Sequence, residues 1–599
     1  MSPRVRPNVF DPRRRLLAVV IVLGACGFAI AARAAWLQLV HPEFYQQQGD
    51  ARFVRDVPIT ASRGAILDRN GETLAASSPV ASVWADPRET LKHPERLGEL
   101  ADALGVPRDD LRERLAARAD REFVYLRRHM NPDAAAAVVA LGIPGVHEQR
   151  EFRRFYPHGE VMAHVLGFTN IDDRGQEGLE LAFDDWLTGT PGEKRVIRDR
   201  EGRIIDNVDL LRAAEPGRDL VLSIDRRVQY LAYRELKAAL IRHRAYSGSV
   251  VVLDIPTGEV IAMVNQPSYN PNARAGGAGA ARRNRAVTDL LEPGSVIKAF
   301  TVAAAMENGA DPTHRIDTSP GVFPLHGHAI RDVRNFGLVD MTVLLQKSSN
   351  IASTRLALEM DDAHFHDVLT RFGLAQSTMS GFPGEAAGTL EPPSGWGEIE
   401  KATISYGYGI SVTALQIAKA YAALANGGRL LPPTFVRDGN AADPAGRQVI
   451  DPQIARSVIG MLESVVAPGG TATTAAVAGY RVAGKSGTTR RSVAGGYERR
   501  YISMFAGVVP VQQPRFAMVV AIHDPTAGQF FGGAVAAPVF HGVMDGALRL
   551  MDVPPDNVEA WLARTPNRAP AEISSDGLLP FDATAPVAPA PLPDAGVQP

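Results

Sequence analysis

The sequence is short of cysteine, of metal-site patterns and of net charge, and each shortage removes a class of function. Cys26 is the single cysteine, so neither an intramolecular disulfide nor a cysteine cluster for structural zinc can form. The 14 histidines show no metal-site spacing, and neither a metal nor another cofactor is expected. The 64 Lys and Arg against 66 Asp and Glu leave a formal charge of −2, which gives no reason to expect a nucleic-acid partner. Internal repeats are lacking too. What remains is ordinary globular material, 45% apolar and 22% charged. At 599 residues the chain is too long for one core, and three or four domains or their equivalents are expected.

One long apolar run is present. Leu16 to Ala32 carries no charge, Arg33 interrupts it, and Ala34 to Val40 continues it. Arg4, Arg6, Arg13, Arg14 and Arg15 come before it. Basic residues ahead of an apolar span favour the cytoplasmic side, so the chain beyond it is expected to be exported. The run is at the short end for a span. Arg33 can snorkel to the interface, where Trp36 suits the aromatic belt. A retained anchor is the reading taken, with a cleaved signal peptide as the alternative.

Beyond the anchor the texture is mixed and charged to about residue 225. Asn70-Gly71 reads as a tight turn between two extended pieces. Residues 90 to 142 carry Leu, Ala, Arg and Asp at helical spacing, predicting two or three surface helices. This half holds no evident nucleophile–base pair and reads as a pedestal. From Gly248 the pattern changes. Ser249 to Leu253 and Val260 to Val264 read as a hairpin of buried strands, and 271 to 283 as a loop. A helix is expected after Pro293-Gly294, ending near Gly309, and another over Thr413 to Ala425. Strand-like runs return at Tyr480 to Ala483, Met504 to Val509 and Phe516 to Ile522. Strands at both ends with helices between predict an α+β domain whose sheet is built from both ends. From about 565 the sequence turns Pro/Ala-rich and is expected to be disordered.

Three short motifs carry the chemistry. Ser295 and Lys298 form the chain's Ser-x-x-Lys. On a helix, residues three apart share a face, so Lys298 would sit beside the Ser295 hydroxyl. A lysine accepts a serine proton only if burial or a nearby cation lowers its pKa, and Lys485 is a candidate cation. By itself this pair reads more readily as a helix cap beside a solvated lysine. Ser348-Ser349-Asn350 follows, and by itself reads as a turn or a helix start. Lys485-Ser486-Gly487-Thr488 comes third. An edge strand bearing Lys, a hydroxyl and Gly can hold a carboxylate and let a peptide lie alongside its backbone. The three together, in this order, match the signature of penicillin-binding proteins and class A β-lactamases.

The chain resembles the class B penicillin-binding proteins, and among them the septal peptidoglycan D,D-transpeptidases of the FtsI type, over roughly residues 30 to 548. The similarity includes Arg33-Ala34-Ala35-Trp36-Leu37-Gln38, Arg63-Gly64 with Asp68-Arg69, Tyr156-Pro157-His158-Gly159-Glu160 and Gly167-Phe168-Thr169-Asn170. It continues through Pro267-Ser268-Tyr269-Asn270, Gln346-Lys347-Ser348-Ser349-Asn350, Tyr406-Gly407-Tyr408-Gly409 and Gly532-Gly533-Ala534-Val535.

The resemblance implies an α+β architecture: an N-terminal transmembrane helix, an elongated pedestal, and a transpeptidase domain with an antiparallel sheet flanked by helices, as in serine β-lactamases. The expected boundaries are a cytoplasmic segment at 1–15, an anchor at 16–40 and a dimerisation-type pedestal at 41–225. The transpeptidase domain would occupy 226–550, and the tail 551–599.

It also implies roles. Ser295 would attack the penultimate D-Ala carbonyl of a pentapeptide stem, Lys298 would accept its proton and Ser348 would relay protons. Asn350 would orient the acyl chain. Lys485, Ser486, Gly487 and Thr488 would bind the donor, and the Ser295 and Thr488 N–H groups would form the oxyanion hole. β-Lactams would acylate Ser295. The family's third motif usually reads Lys-Thr-Gly. Here Ser486 stands in the threonine's place, which keeps the hydroxyl and leaves drug preference open. No glycosyltransferase domain fits before residue 248, so an FtsW-type glycan polymerase and other division proteins are expected partners at the inner membrane, with the catalytic domain periplasmic. Two other readings remain: an elongation-type class B transpeptidase, and a β-lactam sensor or scaffold that forms no cross-links.

Overall fold

The computed structural model describes residues 12–39, 54–198, 204–273, 279–437, 445–493 and 496–559. Arg4, Arg6, the middle of the 271–283 loop and the Pro/Ala-rich tail from 565 lie outside the described residues.

The apolar run forms α1 (Pro12–Leu39), the one helix among the described residues that is long and apolar enough to cross a membrane. Leu16, Val20, Leu23 and Phe28 stand exposed along it, so none of the other described residues covers its apolar surface. Arg33 lies 4.8 Å over the Trp36 ring near its end.

The pedestal is built on β1 (Thr73–Ala85), which pairs with β2 (Val124–Met130) on one edge and β3 (Val146–Phe155) on the other. Asn70-Gly71 makes the expected turn into β1, with Gly71 at φ 87. The Asp68 carboxylate holds that turn by accepting the N–H groups of Asn70 (2.8 Å) and Glu72 (2.9 Å). The helices expected between 90 and 142 include α2 (Leu97–Leu104), α3 (Arg108–Ala116) and α4 (Pro132–Val139). β2 threads between α3 and α4. It is not expected from the sequence within this stretch, because Arg127, Arg128 and His129 mask its strand alternation. Val83, Leu100, Leu104, Leu111, Leu115, Leu126 and Val138 form a separate core at this distal end.

Nearer the catalytic domain the pedestal holds a buried charge cluster. Arg63 donates to Glu180 (2.7 Å) and Asp184 (2.6 Å), and Arg154 donates to the other Glu180 oxygen (2.6 Å). Arg63 is thus an ion-pair residue and Asp68 a turn support, each with its own partners. Below this cluster Ile66, Leu74, Tyr156, Met162 and Leu166 join one continuous core with the catalytic sheet.

That sheet has five antiparallel strands. α5 (Arg226–His243) leads into β4 (Ser247–Asp254) and β5 (Val260–Gln266), the expected hairpin. Every residue of both strands is buried, which explains their unbroken apolar reading. After the helical middle come β6 (Ala483–Val493), β7 (Gly496–Val509) and β8 (Phe516–His523). The order across the sheet is β5-β4-β8-β7-β6, so β8 from the end of the domain pairs with β4 from its start. The expected strand at Tyr480 to Ala483 is displaced: it begins at Ala483, and the Tyr480 hydroxyl instead reaches Val553 O at 2.7 Å.

α5 packs with α11 (Ala537–Leu550). Against the sheet also pack α9 (Ala414–Ala425) and α10 (Pro452–Val466). Helix α9 is buried from Ala414 to Leu424 and starts at a Thr413–Gln416 capping box.

Candidate active site

The turn carrying Ser295 is not the start of a regular α-helix. Gly294–Ile297 is a single 3-10 turn, and α6 (Lys298–Glu307) continues from it. Gly294 sits at φ 54, where a Cβ would lie 2.3 Å from Thr489 Cγ2. Its N–H donates to Gly407 O at 3.0 Å. Gly407 must also be glycine: a Cβ there would lie 2.1 Å from Gly294 O. On the inner side the buried Tyr421 hydroxyl donates to Val296 O at 2.8 Å. The Ser295 turn is thus clamped between α9 and the 406–409 turn, while Ser295 stays partly open.

Lys298 is fully buried, and all four oxygens around its Nζ are neutral. They are Ser295 Oγ at 3.1 Å, Ser348 O at 2.7 Å, Ser348 Oγ at 3.3 Å and Asn350 Oδ1 at 2.7 Å. Burial drives its pKa well below the ordinary lysine value, and the charge of Lys485 pushes the same way, while Asp332 opposes both. An unprotonated amine 3.1 Å from a serine hydroxyl is placed to take its proton.

The second motif is the junction of two helices rather than a plain loop. α7 (Met341–Lys347) ends at Ser348, a left-handed residue with φ 61, and α8 (Asn350–Leu358) begins after Ser349 as N-cap. Ser349 turns away from the site to cap Ala352 N (3.0 Å) and to donate to Asp332 (2.5 Å). Ser348 and Asn350 therefore both face Lys298. Asp332 fixes this junction further by accepting the Asn350 N–H at 2.5 Å and the Ile351 N–H at 3.2 Å.

The third motif lies on β6, the free edge of the sheet. A Cβ on Gly487 would come within 3.1 Å of both Pro293 O and Val296 Cγ1, so glycine lets the strand lie against the Ser295 turn. Lys485 is fully buried with its Nζ 3.1 Å from Ser486 O, and burial lowers its pKa to about 7. Thr488 Oγ1 accepts the Gly532 N–H at 2.9 Å.

Ser295, Lys298, Ser348, Asn350, Lys485, Ser486, Gly487 and Thr488 thus converge on one cleft. The sequence reading passed over Asp332, Tyr421 and Thr471. Asp332 belongs to no local pattern, and the importance of the other two exists only across the fold. His164 is buried and donates from Nε2 to Ala281 O at 2.8 Å, a packing role apart from the cleft.

Comparison with known proteins gives the family. Residues 248–545 match the penicillin-binding protein transpeptidase domain, and residues 58–222 match the penicillin-binding protein dimerisation domain. The chain is 44% identical to the peptidoglycan D,D-transpeptidase FtsI of Escherichia coli K12 over 550 residues, covering 90% of this chain and 91% of that protein. The chain belongs to the class B penicillin-binding proteins.

Among solved structures, the transpeptidase domain of Burkholderia pseudomallei penicillin-binding protein 3 is 43% identical with a TM-score of 0.52, covering 56% of this chain and 97% of that one. Penicillin-binding protein 3 of Mycobacterium tuberculosis, solved with aztreonam, is 27% identical with a TM-score of 0.65, covering 83% of this chain and 98% of that one. As a class B penicillin-binding protein, the chain is a serine-type peptidoglycan D,D-transpeptidase with pedestal and transpeptidase domains. Transpeptidases of this family act on peptidoglycan stem peptides and bind β-lactams.

Proposed function

We propose that Ser295 is the nucleophile of this transpeptidase and Lys298 its base. The observation that carries the reading is the buried Lys298 amine, held 3.1 Å from Ser295 Oγ with a depressed pKa. Neutral Lys298 takes the hydroxyl proton as Ser295 Oγ attacks the penultimate D-Ala carbonyl. Ser348 passes that proton to the departing D-Ala amine. Its Oγ lies 3.3 Å from the same Nζ, as such a relay needs. N–H groups of Ser295 and Thr488 hold the oxyanion. Asn350 orients the acyl chain, and Lys485, Ser486, Gly487 and Thr488 receive the donor's carboxylate end. An amine from a second stem then displaces Ser295 and closes the cross-link.

The assigned units are a cytoplasmic segment 1–15, an anchor 16–40, a pedestal 41–225, a transpeptidase domain 226–550 and a tail 551–599. Arginines before the apolar run orient the rest of the chain to the periplasm across the inner membrane. We assign the enzyme to the division septum, beside an FtsW-type polymerase, on the strength of its FtsI relative.

Fluorescent penicillin tests the nucleophile. Ser295→Ala should abolish covalent labelling while the protein melts normally; a labelled variant would sink the assignment. Depletion in the native cell should give filaments, whereas rounded cells would favour an elongation role.

A further inference from the structure

The third motif carries serine where its family usually has threonine, and the fold places a second hydroxyl beside it. Thr471 Oγ1 lies 2.9 Å from Ser486 Oγ. Thr471 is exposed at the cleft, whereas Ser486 is 9% exposed beneath it. The loop that carries Thr471 is firmly held. Ala472 N donates to Val465 O at 3.0 Å, and Lys347 Nζ donates to Gly469 O at 2.7 Å. Thr474 Oγ1 donates to Gly533 O at 2.5 Å, and a Cβ on Gly533 would lie 2.0 Å from Thr471 O. None of these bonds needs the Thr471 hydroxyl.

We propose that Thr471 is a positioning residue for substrate carboxylate recognition, acting through Ser486. This rests on the reading of the third motif as the donor's anion site. A threonine at 486 would have its χ1 restricted by the γ-methyl, whereas serine is free to turn among staggered rotamers. Thr471 restores the constraint from outside the strand. When its hydroxyl donates to Ser486 Oγ, the Ser486 proton is left to point at the carboxylate, and the chain of donors strengthens that bond. Thr488 is set in the same manner, because the Gly532 N–H occupies its oxygen as acceptor and leaves its proton free. Each hydroxyl of the motif thus has a dedicated donor from a neighbouring loop.

The test uses the full chain in detergent and two thioester donors, one ending in a free carboxylate and the other in the primary carboxamide. Acylation rate constants of wild type, Thr471→Val, Ser486→Thr and the double variant are compared. Thr471→Val should reduce the preference for the carboxylate donor about tenfold, the scale of one hydrogen bond to a charged group, with an unchanged melting transition. In the Thr471→Val background, Ser486→Thr should restore most of that preference. An equal loss for both donors would assign Thr471 a structural role and overturn the proposal. So would an unchanged preference, or rescue by Thr471→Ser with none by Ser486→Thr, which would mean direct contact. A wild type with no carboxylate preference would instead reject the reading of the third motif itself.

Discussion

Two buried charge clusters in this chain are built on opposite rules. In the pedestal, Arg63 and Arg154 meet Glu180 and Asp184, and every buried guanidinium has a carboxylate partner within 2.7 Å. Arg63 is held above its ordinary pKa despite the desolvation that opposes it, because the Glu180 and Asp184 charges outweigh burial. In the cleft, Lys298 and Lys485 are both fully buried, and the acceptors around Lys298 Nζ are neutral. Their pKa values move down instead of up. The same burial cost is met by pairing in one place and by loss of the proton in the other. The first outcome makes a brace, and the second leaves an amine able to accept a proton.

The sharpest way to separate the clusters is to remove charge from each. Lys298→Met should lower acylation by penicillin about 100- to 10,000-fold, the range of general base catalysis. Its melting temperature should hold or rise, since an apolar isostere no longer carries a desolvated amine. A large fall in melting temperature would erase the distinction. Glu180→Gln should do the reverse. It leaves two buried guanidiniums short of a partner and should cost about 3 kcal/mol of stability, read by chemical denaturation. The folded fraction should acylate at the wild-type rate; slowed acylation would show that the brace reaches the site.

The smallest expected effect is in pH. Lys485 has a folded pKa of about 7 against an ordinary 10.5, so it is charged below that pH and neutral above it. Acylation by a carboxylate donor should therefore fall as pH rises through about 7, while a carboxamide donor should not show that limb. Identical profiles for both donors would count against Lys485 as the charge that meets the carboxylate. The stability sign is also fixed. Between the folded and unfolded values the unfolded chain binds the extra proton, so this lysine's contribution to stability rises with pH across that window.

The sequence made the cleft legible because its chemistry comes in three compact motifs whose order is informative. The buried hairpin, the helix from Thr413 and the closing strands were also readable, since each is a local pattern. Asp332 was not, because its partners Ser349, Asn350 and Ile351 meet it only once the fold forms. The pedestal brace was hidden for the same reason, with Arg63 and Glu180 joined across 117 residues. The 3-10 turn at Ser295 and the left-handed Ser348 are imposed by tertiary clamps that local propensity does not encode.

The strand order has a consequence for biogenesis. β4 pairs with β8, and the edge strand bearing Lys485 comes after the entire helical middle. Pairing so distant in sequence is slow and cannot begin until the chain is nearly complete. Ser295 therefore emerges from synthesis long before Lys485, whose charge adds to the burial that lowers the Lys298 pKa. An unfinished chain carries Ser295 and Lys298 without the edge strand that completes the cleft around them.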